Sequence, residues 1–392
     1  MTKQPSIYSM IPILRAAEQR SLSGSPAAIG AFNVNFYAQA VGILAGLARS
    51  GSPGIIQASK GACAFQGGAE YIRGMVKNAL GNHESFSKVP IALHLDHGNY
   101  ESCKQCIGDG FSSVMIDASS LDYEDNIRQT RRVANLAQKR GLSTEAELGK
   151  LAGVEEDIVN DKTTYTDPHE VVDFLYQSGC DALAIAYGTS HGANKGNTAK
   201  LKLEIIADSY GYITDEKKNL DWFIVGHGSS TVPQHLVDEV NAYGGTLSET
   251  SGVSEDMLKA AIHAGVRKVN IDTDLRLGIT AEVRKYLKET PRVINKSELL
   301  SQVNDCFTGK TKVLDSSGNQ IEPGKLVDPR SYLQTLVDKD TRILREDYAK
   351  QGDFHFTRLM HRIEERVADH VFHLTARVFN SLELADTVKN NN

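Results

Sequence analysis

No stretch of the 392 residues strings together the ~20 apolar side chains that a membrane-spanning helix needs, so no membrane partner is expected. The segment up to Pro26 stays polar and lacks the apolar core of a secretory leader, which leads us to expect a cytoplasmic protein. A basic excess is missing too. The formal net charge is −6, the wrong sign for a general nucleic-acid binder, although a few placed Lys, Arg and backbone N–H groups can still hold phosphate. Cysteine is scarce: Cys63, Cys103, Cys106, Cys180 and Cys306 are odd in number and scattered, which argues against a disulfide framework. Cys103 and Cys106 form C-x-x-C without a second pair, and read as two small residues one turn apart on a helix. G-x-G-x-x-G, H-E-x-x-H and short solenoid repeats are absent, so neither a dinucleotide fingerprint nor a zinc-peptidase helix is indicated.

What is present is an alternation of two periods. Short β-branched runs begin near Ile29, Gly54, Val89, Ser113, Ser143, Ala182, Trp222 and Lys268, and helical spacing fills the intervals. Val41, Leu44, Ala45 and Ala48 follow the first run at that spacing, and Ile127, Thr130, Ala134 and Ala137 follow the fourth. Eight β-then-α units in series predict an α/β fold of the (β/α)8 TIM-barrel type. We expect residues 1–288 to form the barrel with an N-terminal helical segment, and 289–392 a C-terminal extension. In that extension Thr308 to Pro323 reads as a loop or short hairpin. A long helix follows Asp353, its N-cap. Its stripe of Met360, Ile363, Val367, Val371, Leu374 and Val378 should pack on the barrel or on a second subunit. The tail histidines (His355, His361, His370, His373) share no metal spacing and read as surface or packing residues.

Chemistry in such barrels sits at the C-terminal strand ends. Here the third strand ends in Asp96-His97-Gly98, the fourth in Asp117, and the fifth in Glu145 and Glu147. The sixth ends in Ser190-His191-Gly192, the seventh in His227-Gly228-Ser229-Ser230, and the eighth in Asn270 to Asp274. His97, His191 and His227 thus arrive from three strands. Three imidazoles leave an open position on Zn²⁺, as catalytic zinc sites do. Each histidine is followed by Gly, which lets backbone N–H groups approach an anion. The loops after strands seven and eight are the fold's usual phosphate site, and Lys195 follows the sixth strand as a further cation. Asp96 is a candidate general acid or base. Glu155 and Glu156 lie in a polar loop, Gly149 to Asp161, that could close over a substrate. Asp117 and Glu147 are candidates either for orienting the ligands or for an alternative metal position.

These motifs together resemble class II, zinc-dependent fructose-bisphosphate aldolase. The resemblance is carried by A-F-N-V-N (Ala31 to Asn35), Q-A-S (Gln57 to Ser59), L-D-H-G (Leu95 to Gly98), M-I-D-A-S (Met115 to Ser119) and E-A-E-L-G (Glu145 to Gly149). It continues with G-T-S-H-G-A-x-K (Gly188 to Lys195), H-G-x-S (His227 to Ser230) and N-I-D-T-D-L-R (Asn270 to Arg276). It implies a catalytic Zn²⁺ on His97, His191 and His227, with room for a monovalent cation, Na⁺ or K⁺. Asp96 would handle the proton of the aldehyde-derived oxygen, and Glu155 or Glu156 the carbon-bound proton. Gly192, Lys195, Gly228, Ser230, Asn270 and Thr273 would hold the dihydroxyacetone phosphate half. Ser59, Arg276 and Arg330 would serve the other phosphate, Arg330 from a D-P-R run that in the family can come from a neighbouring subunit. Asp272 favours fructose 1,6-bisphosphate, with tagatose 1,6-bisphosphate and sedoheptulose 1,7-bisphosphate as the alternative substrates. A homodimer or larger homo-oligomer is implied, and no nucleic acid partner. A Lys imine is the other way to stabilise the cleaved fragment. The strand ends are poor in lysine, Lys60 being the nearest exception and Lys268 expected to open strand eight at its far end.

Overall fold

Burial on both faces is what the short apolar runs encode. In the computed structural model, eight such strands are hydrogen-bonded in parallel: β1 (Ile29–Asn33), β2 (Gly54–Ser59), β3 (Ile91–Gly98), β4 (Ser113–Ile116), β5 (Ser143–Leu148), β6 (Ala182–Ile185), β7 (Phe223–Gly226) and β8 (Val266–Ile271). β1 pairs with both β2 and β8, which closes the barrel. The structure describes residues 7–155, 158–160, 163–191, 201–216, 221–248, 252–315, 318–334 and 353–390. The (β/α)8 expectation holds. β8 begins at Val266 rather than Lys268, which makes Lys268 an interior residue instead of a strand opener.

The N-terminal end of the barrel is plugged. Ala31, Ala92, Ala182 and Ala184 are small and buried, and they form one cluster with Met10, Ile13 and Leu14 of α1 (Met10–Leu22). Polar ties fix this plug: Met10 N donates to Ser143 Oγ (3.1 Å), and Arg267 Nε donates to Glu18 Oε2 (2.6 Å).

The outer helices follow the expected pattern with one difference. Ile127, Thr130, Ala134 and Ala137 all turn inward on the helix Tyr123–Gln138. In α2 (Tyr37–Ser50), however, Leu44 is buried while Val41, Ala45 and Ala48 are only partly so. The reason is that α2 is covered on two sides. The helix Ala69–Asn82 lies on one side and α4 (Phe354–His373) on the other, and α4 in turn packs on α3 (Thr273–Glu289). A Cβ on Gly42 would lie 2.7 Å from Val367 Cβ, and one on Gly46 would lie 2.6 Å from Val371 Cβ. Two glycines one turn apart thus let α2 and α4 touch backbone to side chain.

The tail matches its reading. Val313–Leu314 and Gln320–Ile321 make a short antiparallel hairpin. Asp353 caps α4 by accepting from Phe356 N at 2.9 Å. The stripe from Met360 to Val371 is buried against the barrel of the same chain, and Leu374 and Val378 continue it in a π-helical turn. Cys103 and Cys106 are buried on the helix Tyr100–Gly108. His370 and His373 make packing contacts, to Asp274 and Glu255. The Gly149 to Asp161 stretch, expected as a loop, contains a hairpin. Its strand Ala152–Glu155 pairs with Ile158–Asn160 and with Ser190–His191, which joins it to the segment after β6.

Candidate active site

At the C-terminal mouth, β3 supplies two adjacent groups. The β3–β4 register slips between Leu95 and Gly98, and His97 takes φ +49°, a left-handed conformation rare for a non-glycine residue. An irregularity of this kind re-aims a side chain. His97 Nδ1 thereby lies 3.0 Å from Asp117 Oδ2. Burial pushes the Asp117 carboxyl up, but His97 and the two Ser119 donors outweigh it and hold it down at about 2.

β5 and β7 supply the next pair. His227 Nε2 is 2.8 Å from Glu145 Oε1, and Glu145 Oε2 is 2.9 Å from Lys268 Nζ, with all three side chains fully buried. Burial opposes ionisation of Glu145. Lys268 and the neighbouring imidazoles outweigh it and hold the carboxyl well below its ordinary range. Burial likewise lowers His227, yet Glu145 and Glu147 raise it to about 9. Burial, and then Asp117, push Glu147 up. Buried carboxylates therefore favour a positive charge at this spot.

Asp96 is held by three amides. Its Oδ2 accepts from Asn33 Nδ2 (3.3 Å) and Gln57 Nε2 (3.1 Å), and its Oδ1 accepts from Asn270 Nδ2 (3.2 Å). Asn270 Oδ1 in turn accepts from Lys268 Nζ at 2.8 Å. One buried lysine thus supports both the Asp96 and the His227 sides. Asp96, His97 and His227 present ligand atoms all within 4.8 Å of one another, as do His97, Asp117 and Glu147. The first set, two imidazoles and a carboxylate, all buried, fits a divalent ion of the zinc type.

Beside this cluster is an anion-type cradle. Ser230 Oγ accepts from Asp272 N and Thr273 N, both at 3.1 Å, at the start of the 17-residue α3. Gly228 has φ +56°, and a Cβ there would meet Ser190 O at 2.6 Å, so only glycine fits between the two loops. Ser59 lies opposite Asp96 in the β2–β3 register, and its Oγ caps the following helix through Ala62 N. Arg276 bonds Asp272 (2.9 Å) and Asp328 (2.9 Å), and Arg330 bonds Asp328 (2.7 Å). The D-P-R arginine therefore joins Arg276 within its own chain.

Of the expected site residues, Asp96, His97, His227, Asp117 and Glu147 converge, and Gly228, Ser230, Asn270, Asp272, Thr273, Arg276 and Arg330 line the β7 and β8 side. Only the backbone is described for His191 and Glu155, while Glu156, Gly192 and Lys195 lie outside the described residues. Lys60 is exposed. Residue reading missed Asn33, Gln57 and Lys268. Each is a polar residue inside an apolar strand, and that was the available signal.

A family model, fructose-bisphosphate aldolase class-II, matches residues 9–319. The chain belongs to that family. It is 38% identical over 296 residues to a fructose-bisphosphate aldolase of Giardia intestinalis, covering 74% of this chain and 89% of that one. It is 41% identical over 277 residues to one of Treponema pallidum, covering 66% and 81%. The fold superposes on a crystal structure of fructose-bisphosphate aldolase from Campylobacter jejuni with a TM-score of 0.60 at 21% identity, over 97% of each chain. This class II aldolase family match ends at residue 319, so α4 lies beyond it. Among the described residues, no helix is long and apolar enough to cross a membrane.

Proposed function

We propose that the barrel mouth performs reversible, zinc-dependent cleavage of fructose 1,6-bisphosphate to dihydroxyacetone phosphate and glyceraldehyde 3-phosphate, in glycolysis and gluconeogenesis. The observation that carries this reading is the convergence of Asp96, His97 and His227 within 4.8 Å beside the N-terminus of α3. His97, His191 and His227 would hold the ion. Asp117 and Glu145 orient two of those rings: a carboxylate accepting from one ring nitrogen leaves the other nitrogen for a ligand bond. Zinc, when bound, supplies Lewis acidity that stabilises the negative charge left on the three-carbon fragment when C3–C4 breaks.

The chain's own groups do the rest. Asp96 accepts the C4 hydroxyl proton as the bond breaks, its carboxylate held in place by Asn33, Gln57 and Asn270. The loop carboxylate, Glu155 or Glu156, delivers the proton to carbon. Gly192, Lys195, Gly228, Ser230, Asn270 and Thr273 take the dihydroxyacetone phosphate end, where a helix N-terminus favours an anion. Ser59, Arg276 and Arg330 take the other phosphate, and Asp272 favours the fructose configuration. Residues 289–392 form an extension to the barrel, the assembly is a homo-oligomer and the compartment the cytoplasm.

The test is a coupled assay of triose phosphate release with and without EDTA and added Zn²⁺, beside a borohydride-plus-substrate control. Activity lost to chelator, restored by zinc and untouched by borohydride is the expected result. Chelator-resistant activity that borohydride abolishes would mean a lysine imine and overturn the assignment. Relative rates on fructose, tagatose and sedoheptulose bisphosphates decide the substrate.

A further inference from the structure

The turn after Ser230 is backbone held under strain. Val232 has φ +46°, a region that β-branched residues scarcely enter. Its side chain is buried in a cluster with Leu236 and Leu277, so it cannot relax by swinging outward. Three hydrogen bonds hold the turn, and all end on one carboxylate. Asp274 Oδ2 accepts from Thr231 N (2.9 Å) and Thr231 Oγ1 (2.8 Å), and Asp274 Oδ1 accepts from Val232 N (2.7 Å). Asp274 is buried in the first turn of α3, and His370 of α4 backs it at 3.5 Å. The bonding is reciprocal: the helix carboxylate takes loop N–H groups, and the loop hydroxyl of Ser230 takes helix N–H groups. Asp274 is the second aspartate of N-I-D-T-D-L-R, and no substrate or metal role falls to it.

We propose that Asp274 is a positioning residue for phosphate recognition, clamping the Thr231–Val232 turn so that Gly228 to Ser230 stays seated on the N-terminus of α3. This rests on the reading above that the dihydroxyacetone phosphate end binds there.

The test compares Asp274→Ala and Asp274→Asn, each with and without Val232→Gly, following kcat, KM, zinc content and thermal melting. Asp274→Ala should raise KM for fructose 1,6-bisphosphate on the order of tenfold, the scale of lost hydrogen bonds to a charged group, with a smaller fall in kcat and unchanged zinc. Asp274→Asn keeps one acceptor oxygen and should fall between. Glycine adopts the left-handed conformation without steric cost, so Val232→Gly should recover part of the KM in the Asp274→Ala background. An unchanged KM in folded Asp274→Ala, or a Val232→Gly that recovers nothing, overturns the proposal. If Asp274→Ala does not fold, Asp274→Asn carries the same comparison. Hydrogen exchange over residues 227–234 reads the clamp with no substrate present. Slow exchange of the Thr231 and Val232 amides in the native protein and fast exchange in the variant support it, and equal rates overturn it. A native protein that shows the protected turn yet cleaves no ketose bisphosphate overturns the reaction assigned above and leaves the clamp standing.

Discussion

Asp96 has three amide donors and no described salt-bridge partner other than His97. That suits a carboxylate that must accept a proton and release it. Replacing Asp96 with Ala should lower kcat by roughly 10²–10⁴, the usual worth of general acid–base catalysis, while bound zinc measured by elemental analysis stays constant. Near-normal turnover would remove Asp96 from the reaction. Lys268 makes a different prediction. Its ammonium faces Glu145 and Asn270 from a fully buried position. Lys268→Met strands a buried carboxylate, so we expect about 3–5 kcal/mol of destabilisation in urea unfolding, and a smaller loss in the double variant Lys268→Met, Glu145→Gln. Equal losses in the two would mean that the pair is not coupled.

At the scale of elements, α2 against α4 sets one rule against another. Alanine ordinarily stabilises a helix interior relative to glycine by up to ~1 kcal/mol. At Gly46 a Cβ would sit 2.6 Å from Val371 Cβ and 2.7 Å from Ala368 O. Overpacking should win, so Gly46→Ala is expected to destabilise by about 1–3 kcal/mol in thermal unfolding, and a stabilised variant would refute this packing. Element identity was legible in the sequence because period and punctuation are local: eight strands, the tail hairpin and the Asp353 cap all came from residues a few places apart. The mouth was legible for a related reason, since chemistry-bearing residues at strand ends must converge once the barrel closes. What stayed hidden depends on register and bulges. The slip at Leu95 to Gly98 that re-aims His97 leaves no mark in the composition. Lys268 looked like a strand opener because Arg267 and Lys268 interrupt the apolar run, although Gly265 ends the preceding helix and β8 starts at Val266. The Val232 turn shows only in its φ angle.

For the whole molecule, Asp328 links the arm beyond the barrel to α3 through Arg276 and Arg330. Burial pushes its carboxyl up, but the two guanidiniums hold it at about 2, below its ordinary 3.8. A depressed carboxyl stabilises the fold above its unfolded value and loses that contribution as pH falls through the folded one. We therefore expect up to about 2 kcal/mol from this bridge at neutral pH, lost between about pH 4 and pH 2. In urea unfolding, Asp328→Asn should be less stable than the native protein at pH 7, and the two should converge at acid pH. A gap that persists at pH 2 would rule the bridge out as its cause. The barrel's other end has a separate consequence. The helix Ala385–Asn390, the last described, lies against α1, with Leu384 and Val388 in the same cluster as Met10 and Ile13. These two described helices thus meet at the floor, opposite the mouth. A staple between these two helices would act on the underside alone, so the floor is a place to stiffen the fold with the catalytic rim left whole.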